Sequence, residues 1–255
     1  KNKKTKNTMS YKLTKKNVQE AMNNGERLDG RKPFEHREIK VEFNISVNAE
    51  ASVKVKFGKS EVIAGIKMSV GVPYPDHEKE GTMTTGMDLL PLSSPNFEYG
   101  APTIEAVEIA RVVDRGIRES RFIDFEKLCI KEAEKVWNIN IDVVTLNEDG
   151  NLIDASALAS ILALLTARFP AYDETTGRVK SGEFTDKPLP LNLENMPLTT
   201  TFFKIGDKLF VVEEVPAKVC NHCGEKVFTP GITRKLQNLI KRRRKAPRTV
   251  KVPVF

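Results

Sequence analysis

Alternating hydrophobic and polar positions in the first third of the chain predict three β-strands. Residues 39–47 and 51–57 alternate strictly, and residues 60–70 place their apolar side chains on one face. The tetrapeptide FGKS at positions 57–60 is typical of a hairpin turn between the second and third strands. Strands that are apolar on one face form a sheet that needs a cover on that face, so we expect a helix to pack there.

Residues 102–122 predict that helix. Thr103 is suited to be its N-cap, and Glu105 adds a favourable charge to its first turn. The apolar residues recur at helical spacing, which indicates one broad buried face. The residues of this predicted face are Ile104, Val107, Ile109, Val112, Val113 and Ile117.

Three arginines form a stripe along the same helix. Arg111, Arg115 and Arg118 stand at positions i, i+4 and i+7, so they project from one side. Like charges in this arrangement repel each other, and the stripe has two interpretations. It is either a solvated face with local ion pairs or a row of phosphate contacts for a nucleic-acid strand. The acids that relieve it in the first interpretation are Glu108, Asp114 and Glu119.

The rest of the pattern completes an α+β order of elements. Residues 71–100 are a long irregular segment, residues 135–146 alternate as a strand, and residues 199–213 predict a second hairpin. Residues 154–168 are apolar nearly all round, which predicts a buried helix. Three strands, a helix, a strand, a helix and a strand pair make an α+β domain.

Charge and composition change the picture mainly at the two ends of the chain. The 255 residues include 41 lysines and arginines and 34 acids, a net charge of +7, and basic runs lie at residues 1–6 and 235–251. We expect residues 1–10 to be a disordered basic tail. The chain has no apolar run near the roughly 18 residues that span a bilayer, no secretory signal and no disulfide framework. These features predict a cytoplasmic protein without a membrane partner.

Four separated motifs give the chain a family resemblance. They are LDGRKPFEHREI at 28–39, LLPLSSPNFEYGAP at 89–102, EIARVVDRGIRES at 108–120 and LNEDGNLIDASALASILALL at 146–165. Over roughly residues 11–212 the chain resembles the RNase PH family, most closely the non-catalytic RNase PH-like subunit of the archaeal exosome. The resemblance implies an RNase PH-like (ribosomal protein S5 domain 2-like) β-α-β-α sandwich, truncated in its C-terminal part.

The same resemblance implies a function in RNA degradation. It implies a hetero-oligomeric, hexameric ring in which this chain alternates with a catalytic RNase PH-like subunit. The ring threads single-stranded RNA through its centre, and RNA-binding cap subunits are further partners. In that family the arginines of the first long helix face the RNA. By motif position these are Arg111, Arg115 and Arg118, the same three residues that the spacing singles out.

One motif argues against catalysis by this chain. Active relatives carry a DGGTRTA-like turn whose arginine holds the attacking phosphate, and the corresponding stretch here is DGNLIDA at 149–155. Ile153 stands at the arginine position, and we expect Asp154 to occupy the helix cap and to repel phosphate from the N-terminal N–H groups. The acidic segment of catalytic members also has no counterpart. We therefore expect a non-catalytic subunit that requires no cofactor, with a phosphorolytic exoribonuclease as the alternative.

Residues 213–255 form a basic C-terminal extension that contains a CxxC motif. Val215–Thr233 resembles the zinc-finger segment of antitoxin-type proteins. Cys220 and Cys223 supply two of the four ligands that a structural zinc needs. Either the two thiols are reduced in a turn, or zinc is completed within the chain or shared between two chains. A further alternative function follows, a nucleic-acid- or partner-binding adaptor that acts through the CxxC and the basic tail.

Overall fold

The computed structural model describes residues 35–201 without a break, together with positions 17, 18, 20, 21, 24, 25, 30, 31, 218, 219, 226 and 227. The chain divides into two units. One comprises Lys1–His36, Phe203–Val219 and Phe228–Phe255, and the other comprises Arg37–Phe202 and Cys220–Val227. The second unit contains the sheet and both long helices that position the candidate site.

A mixed sheet forms the centre of this unit. The strands are β1 (Ile39–Phe43), β2 (Ala51–Phe57), β3 (Ser60–Gly71), β4 (Thr82–Asp88), β5 (Cys129–Lys131) and β6 (Lys135–Asn147). Their spatial order is β1-β2-β3-β6-β4, with the short β5 paired to β6. All neighbours are antiparallel except β4 and β6, which run parallel.

Two helices cover one face of this sheet. Helix α1 (Ile104–Glu119) packs on β4, and helix α2 (Leu152–Thr166) packs on β2 and β3 and against α1. The alanines of α2 are fully buried, because small side chains let the helix approach the sheet closely. The predicted nearly all-round burial of this helix is therefore confirmed.

The chain continues beyond α2 in a separate hairpin. Its strands are β7 (Arg168–Asp173) and β8 (Arg178–Pro188), which pair antiparallel with each other. Other short elements among the described residues include two 3-10 turns (Glu126–Leu128 and Leu193–Asn195) and the two-residue strands β9 (Lys218–Val219) and β10 (Lys226–Val227). In the part of the chain that the structure describes, no helix has the length and hydropathy needed to cross a membrane.

The core lies between the inner face of the sheet and the two helices. Alternate residues of β2, β3 and β6 point into it, and the FGKS turn joins β2 to β3 with Gly58 at φ +68°. In β1, by contrast, Ile39 and Phe43 are exposed. The predicted alternation of β2, β3 and β6 and the α+β class are confirmed. Side chains with no exposed surface include Val53, Val55, Val62, Ala64, Ile66, Ile139 and Ile141.

Two strand predictions are wrong in extent. The predicted first strand ends early, because Asn44 adopts φ 59° and the chain leaves the ladder after Phe43. Val47, which was predicted to continue the alternation, is 84% exposed. The segment 71–100 is not irregular throughout, since it contains β4. Strand β4 is short and rich in threonine and methionine, and among the described strands it pairs with β6 alone, in parallel. Its sequence therefore has no alternation that predicts a strand.

The predicted helices need smaller corrections. Helix α1 begins with the expected cap, because the Thr103 hydroxyl accepts a hydrogen bond from the N–H of Ala106 at 3.2 Å. Helix α2 begins two residues earlier than predicted, at Leu152. The hairpin of β7 and β8 was not predicted. The predicted hairpin at 199–213 lies, beyond Thr201, outside the described residues, as do the expected tail at 1–10 and the boundary between residues 212 and 213.

Candidate nucleic-acid interface

Helix α1 has a narrow buried face and a wide exposed one. Its buried residues are Ala106, Ile109, Val113 and Ile117. The prediction of one broad apolar face is wrong for Ile104, Val107 and Val112, which are exposed, Ile104 by 89%. At roughly 100° per residue, Ile104 lies on the side opposite Val113, so both cannot face the same core.

The arginine stripe lies on the exposed side of α1. Arg111 and Arg115 are both exposed, and they lie on the side of the helix nearly opposite the buried face. No hydrogen bond or ion pair involves Arg111 within the described part of the chain. The fold thus presents two adjacent guanidinium groups outwards from a helix whose other face is anchored in the core. This arrangement suits contact with an extended anion such as a nucleic-acid backbone.

Arg118 is positioned differently from the other two arginines. Its Nε donates to Asp114 Oδ2 at 3.0 Å, and its Nη2 donates to Asp114 Oδ1 at 3.1 Å. The same Nη2 donates to the backbone carbonyl of Met83 on β4 at 2.8 Å, and the guanidinium lies over the Phe125 ring, 5.8 Å from its centroid. The Thr85 hydroxyl on β4 also donates to Asp114 Oδ1, at 3.3 Å.

These contacts, which we call the Arg118 clamp, join α1 to β4. They bear out the expectation that Asp114 relieves the stripe locally, because the Arg118–Asp114 pair carries no net charge. The predicted contact of Arg118 with RNA stays a prediction. The clamp has no sequence signature apart from the i, i+4 spacing of its two charged members, since Met83 and Phe125 meet Arg118 only through the fold.

The start of α2 forms the second part of the site. Asn151 is the N-cap, in a left-handed conformation (φ 60°, ψ 46°) and without a side-chain capping bond. The prediction that Asp154 occupies the cap is therefore wrong. Asp154 lies in the first turn, and its carboxylate accepts hydrogen bonds from Asn151 Nδ2 (2.8 Å), from Thr201 N (3.1 Å) and from the Thr201 hydroxyl (2.9 Å).

The turn that precedes α2 is held by residues distant in sequence. The Gly150 carbonyl accepts hydrogen bonds from the Ser60 hydroxyl at 2.8 Å and from Arg37 Nη1 at 3.0 Å. The N–H of Asp149 donates to the same Ser60 hydroxyl at 2.9 Å. Gly150 has φ +79°, which glycine adopts without strain. Ser60 and Arg37 were not predicted to hold this turn, because their hydrogen bonds to Gly150 span 90 and 113 positions and depend on the fold.

Segment 89–101 is fixed beside this turn by Thr145 of β6. The Thr145 hydroxyl accepts from the N–H of Leu90 at 3.1 Å and shares a hydrogen bond with the Ser93 hydroxyl at 2.8 Å. The Ser93 carbonyl accepts from the N–H of Glu148 at 3.0 Å. The loop that leads into α1 and the turn that leads into α2 therefore form one connected hydrogen-bonded structure.

Metal binding has no candidate in this part of the molecule. Among the described residues, no group of three or more histidine, cysteine, aspartate or glutamate side chains could hold a metal ion. Cys220 and Cys223, the predicted zinc ligands, lie outside the described residues.

Comparison with known proteins agrees with this fold. The model of the 3′ exoribonuclease family, domain 1 (RNase PH), matches residues 35–170. Exosome complex component Rrp42 of Methanosarcina acetivorans is 46% identical over 199 residues, which cover 78% of this chain and 71% of that protein. The same component of Methanothermobacter thermautotrophicus is 44% identical over 197 residues, with 77% and 72% covered. The chain belongs to the RNase PH 3′ exoribonuclease family.

Solved structures give the same result. The Archaeoglobus fulgidus exosome with RNA bound to the active site contains a chain that superposes with a TM-score of 0.63 at 41% identity, over 72% of this chain and 70% of that one. An archaeal exosome core gives a TM-score of 0.58 at 36% identity, over 72% and 67%. The RNase PH-like fold expected from the four motifs is therefore confirmed.

Proposed function

We propose that this chain is a non-catalytic, RNA-binding structural subunit of an archaeal exosome-type 3′-to-5′ exoribonuclease ring. The observation that carries the proposal is the outward-facing pair Arg111 and Arg115 on α1, in a chain 46% identical to an exosome Rrp42 component. In this function the pair contacts the phosphates of single-stranded RNA and contributes to the active site of a neighbouring catalytic subunit. The proposal extends to a hexameric ring, to RNA-binding cap subunits and to a cytoplasmic location.

The start of α2 supports the non-catalytic part of the proposal. Phosphorolysis needs a site that binds inorganic phosphate, and a helix N-terminus suits that ion only when no carboxylate competes for its positive field. Here the Asp154 carboxylate lies in the first turn and is bonded to Thr201. Ile153 adds no positive charge and packs against the core. The start of α2 therefore carries the negative charge of Asp154 and has Ile153 in place of the arginine that would hold phosphate.

Activity assays test this part directly. The purified full chain should release no nucleoside diphosphates from single-stranded RNA in the presence of phosphate, because it cannot bind the nucleophile. Adding an RNase PH-like catalytic subunit should produce phosphate-dependent release. Turnover by the chain alone above a mock preparation would refute the non-catalytic assignment and favour the phosphorolytic alternative.

The RNA-binding part is tested by replacing both exposed arginines. In the assembled complex, Arg111→Ala with Arg115→Ala should flatten the dependence of log affinity on log salt by about 1.4, because each phosphate contact to single-stranded RNA contributes a slope of about −0.7. The matched control is Arg178→Ala with Lys180→Ala on β8, which removes the same charge elsewhere. Equal slopes for the arginine variant and the wild type would refute RNA contact by this helix face.

A further inference from the structure

The Arg118 clamp uses the guanidinium in a particular way. A guanidinium has five N–H donors, and its two double-donor edges both include Nη2. In this chain Asp114 takes the Nε–Nη2 edge, and the Met83 carbonyl takes the other hydrogen of Nη2. Neither edge can therefore make a two-bond contact with a phosphate unless a bond to Asp114 or Met83 is broken.

Electrostatics gives the same result as hydrogen bonding. Asp114 neutralises Arg118 at 3.0 Å, and the Thr85 hydroxyl at 3.3 Å holds the same carboxylate towards β4. A phosphate that approaches Arg118 meets a neutral pair instead of a cation, so it releases few counterions there. By contrast, no acidic partner of Arg111 occurs in the part of the chain that the structure describes.

We propose that Asp114 is a positioning residue that withholds Arg118 from RNA, so that the arginine stripe makes one phosphate contact fewer than its three guanidinium groups would allow. This inference rests on the proposed RNA-binding function. The clamp uses Arg118 to hold α1 against β4, and it thereby lowers the affinity of the stripe for the RNA backbone. In a ring that degrades RNA from its 3′ end, a subunit must release each phosphate as the strand moves, and weaker contact favours that release.

Removing the Asp114 side chain should free Arg118 for RNA. In the assembled complex, Asp114→Ala should steepen the log–log salt slope by about 0.7, one additional phosphate contact. Between about 50 and 200 mM salt, the variant should then lose affinity by roughly 2.6-fold more than the wild type. Asp114→Asn, which keeps the shape of the side chain and removes its charge, should change the slope in the same direction and serves if the alanine variant does not fold.

Three controls separate this effect from a general change in charge or stability. Glu108→Ala makes the same charge change on the same helix and frees no arginine, because no hydrogen bond or ion pair of its side chain occurs among the described residues; its slope should equal that of the wild type. Asp114→Ala with Arg118→Ala should restore the wild-type slope. Asp114→Glu, which retains an i, i+4 ion pair with Arg118, should keep the wild-type slope.

Two outcomes would overturn the inference. If Arg118→Ala alone flattens the slope by about 0.7, Arg118 already contacts RNA in the wild type. If Asp114→Ala changes the slope no more than Glu108→Ala does, the clamp withholds nothing. The variant Arg111→Ala with Arg115→Ala separates this failure from failure of the proposed function. If that variant leaves the salt slope unchanged, this helix face does not contact RNA and the proposed function itself fails.

Discussion

Replacement of Asp154 by alanine should destabilise the folded chain, because the carboxylate joins two distant parts of it. The change removes two hydrogen bonds to Thr201 and one to Asn151. Bonds to a charged acceptor contribute about 1.5–3 kcal/mol each where they are buried, and the partly buried position of Asp154 lowers this. Loss of a negative charge in the first turn of α2 adds about 0.3–1 kcal/mol. We expect a total cost of about 3 kcal/mol.

Thermal unfolding of the full chain, followed by circular dichroism, measures this cost. For a chain of this size, about 3 kcal/mol corresponds to a fall in Tm of roughly 6–12 °C. The matched control is Asp149→Ala, which removes an exposed carboxylate from the same turn, two residues before the N-cap. The control should change Tm little, since exposed substitutions usually cost less than about 0.5 kcal/mol.

A double-mutant cycle locates the effect in the Asp154–Thr201 contact. Thr201→Ala removes only the hydroxyl bond and leaves the backbone bond in place, so it should cost less than Asp154→Ala. The two changes together should cost less than their sum by about 1 kcal/mol, the coupling expected for residues in direct contact. The reasoning fails if Asp154→Ala is as stable as the Asp149 control, or if the two changes add without coupling.

Two further predictions concern other parts of the fold. Gly81→Ala should be strongly destabilising, by about 1–3 kcal/mol or more in chemical unfolding, because a Cβ there would lie 2.6 Å from the Trp137 carbonyl oxygen; a wild-type midpoint would contradict this. Asp173 has a pKa lowered to about 2, chiefly because the Thr175 hydroxyl donates to its carboxylate at 2.6 Å. Its contribution to stability is therefore present above the ordinary pKa of 3.8 and is lost as the pH falls towards 2. Thr175→Val should raise the pKa of Asp173 in an NMR titration, and an unchanged midpoint would show that the hydroxyl is not the cause.

Elements with strong local signals were predictable from the sequence. Strands β2, β3 and β6 alternate over most of their length, and α1 begins at a threonine cap, so each element carries its own evidence. Strand β4 has no such signal, because it depends on parallel pairing with β6, which follows α1 in the sequence whereas β4 precedes it. The hairpin of β7 and β8 was missed, since its strands pair with each other outside the main sheet and β8 is mostly polar and exposed.

The candidate site was predictable only where its residues lie close together in the sequence, within one helix or turn. Helical spacing placed Arg111, Arg115 and Arg118 on one side of α1, and it identified Asp114 as one of three nearby acids that could relieve their repulsion. The particular pair of Arg118 with Asp114 required the structure. The spacing did not reveal that a backbone carbonyl on β4 completes the clamp. Likewise, Asp154 was recognised as incompatible with phosphate, but its bond to Thr201 spans 47 positions and required the folded chain.

The opposite faces of α1 also constrain how this sequence can change during evolution. Val113 lies in the core, and Arg111 and Arg115 on either side of it in sequence lie on the surface. One inserted or deleted residue within the helix would turn everything beyond it by roughly 100°, which would bury a guanidinium and expose a valine. Substitutions on the outer face alter affinity gradually, whereas a change of length affects folding and recognition together. The length of α1 should therefore be inherited unchanged, while the loops around it remain free to vary.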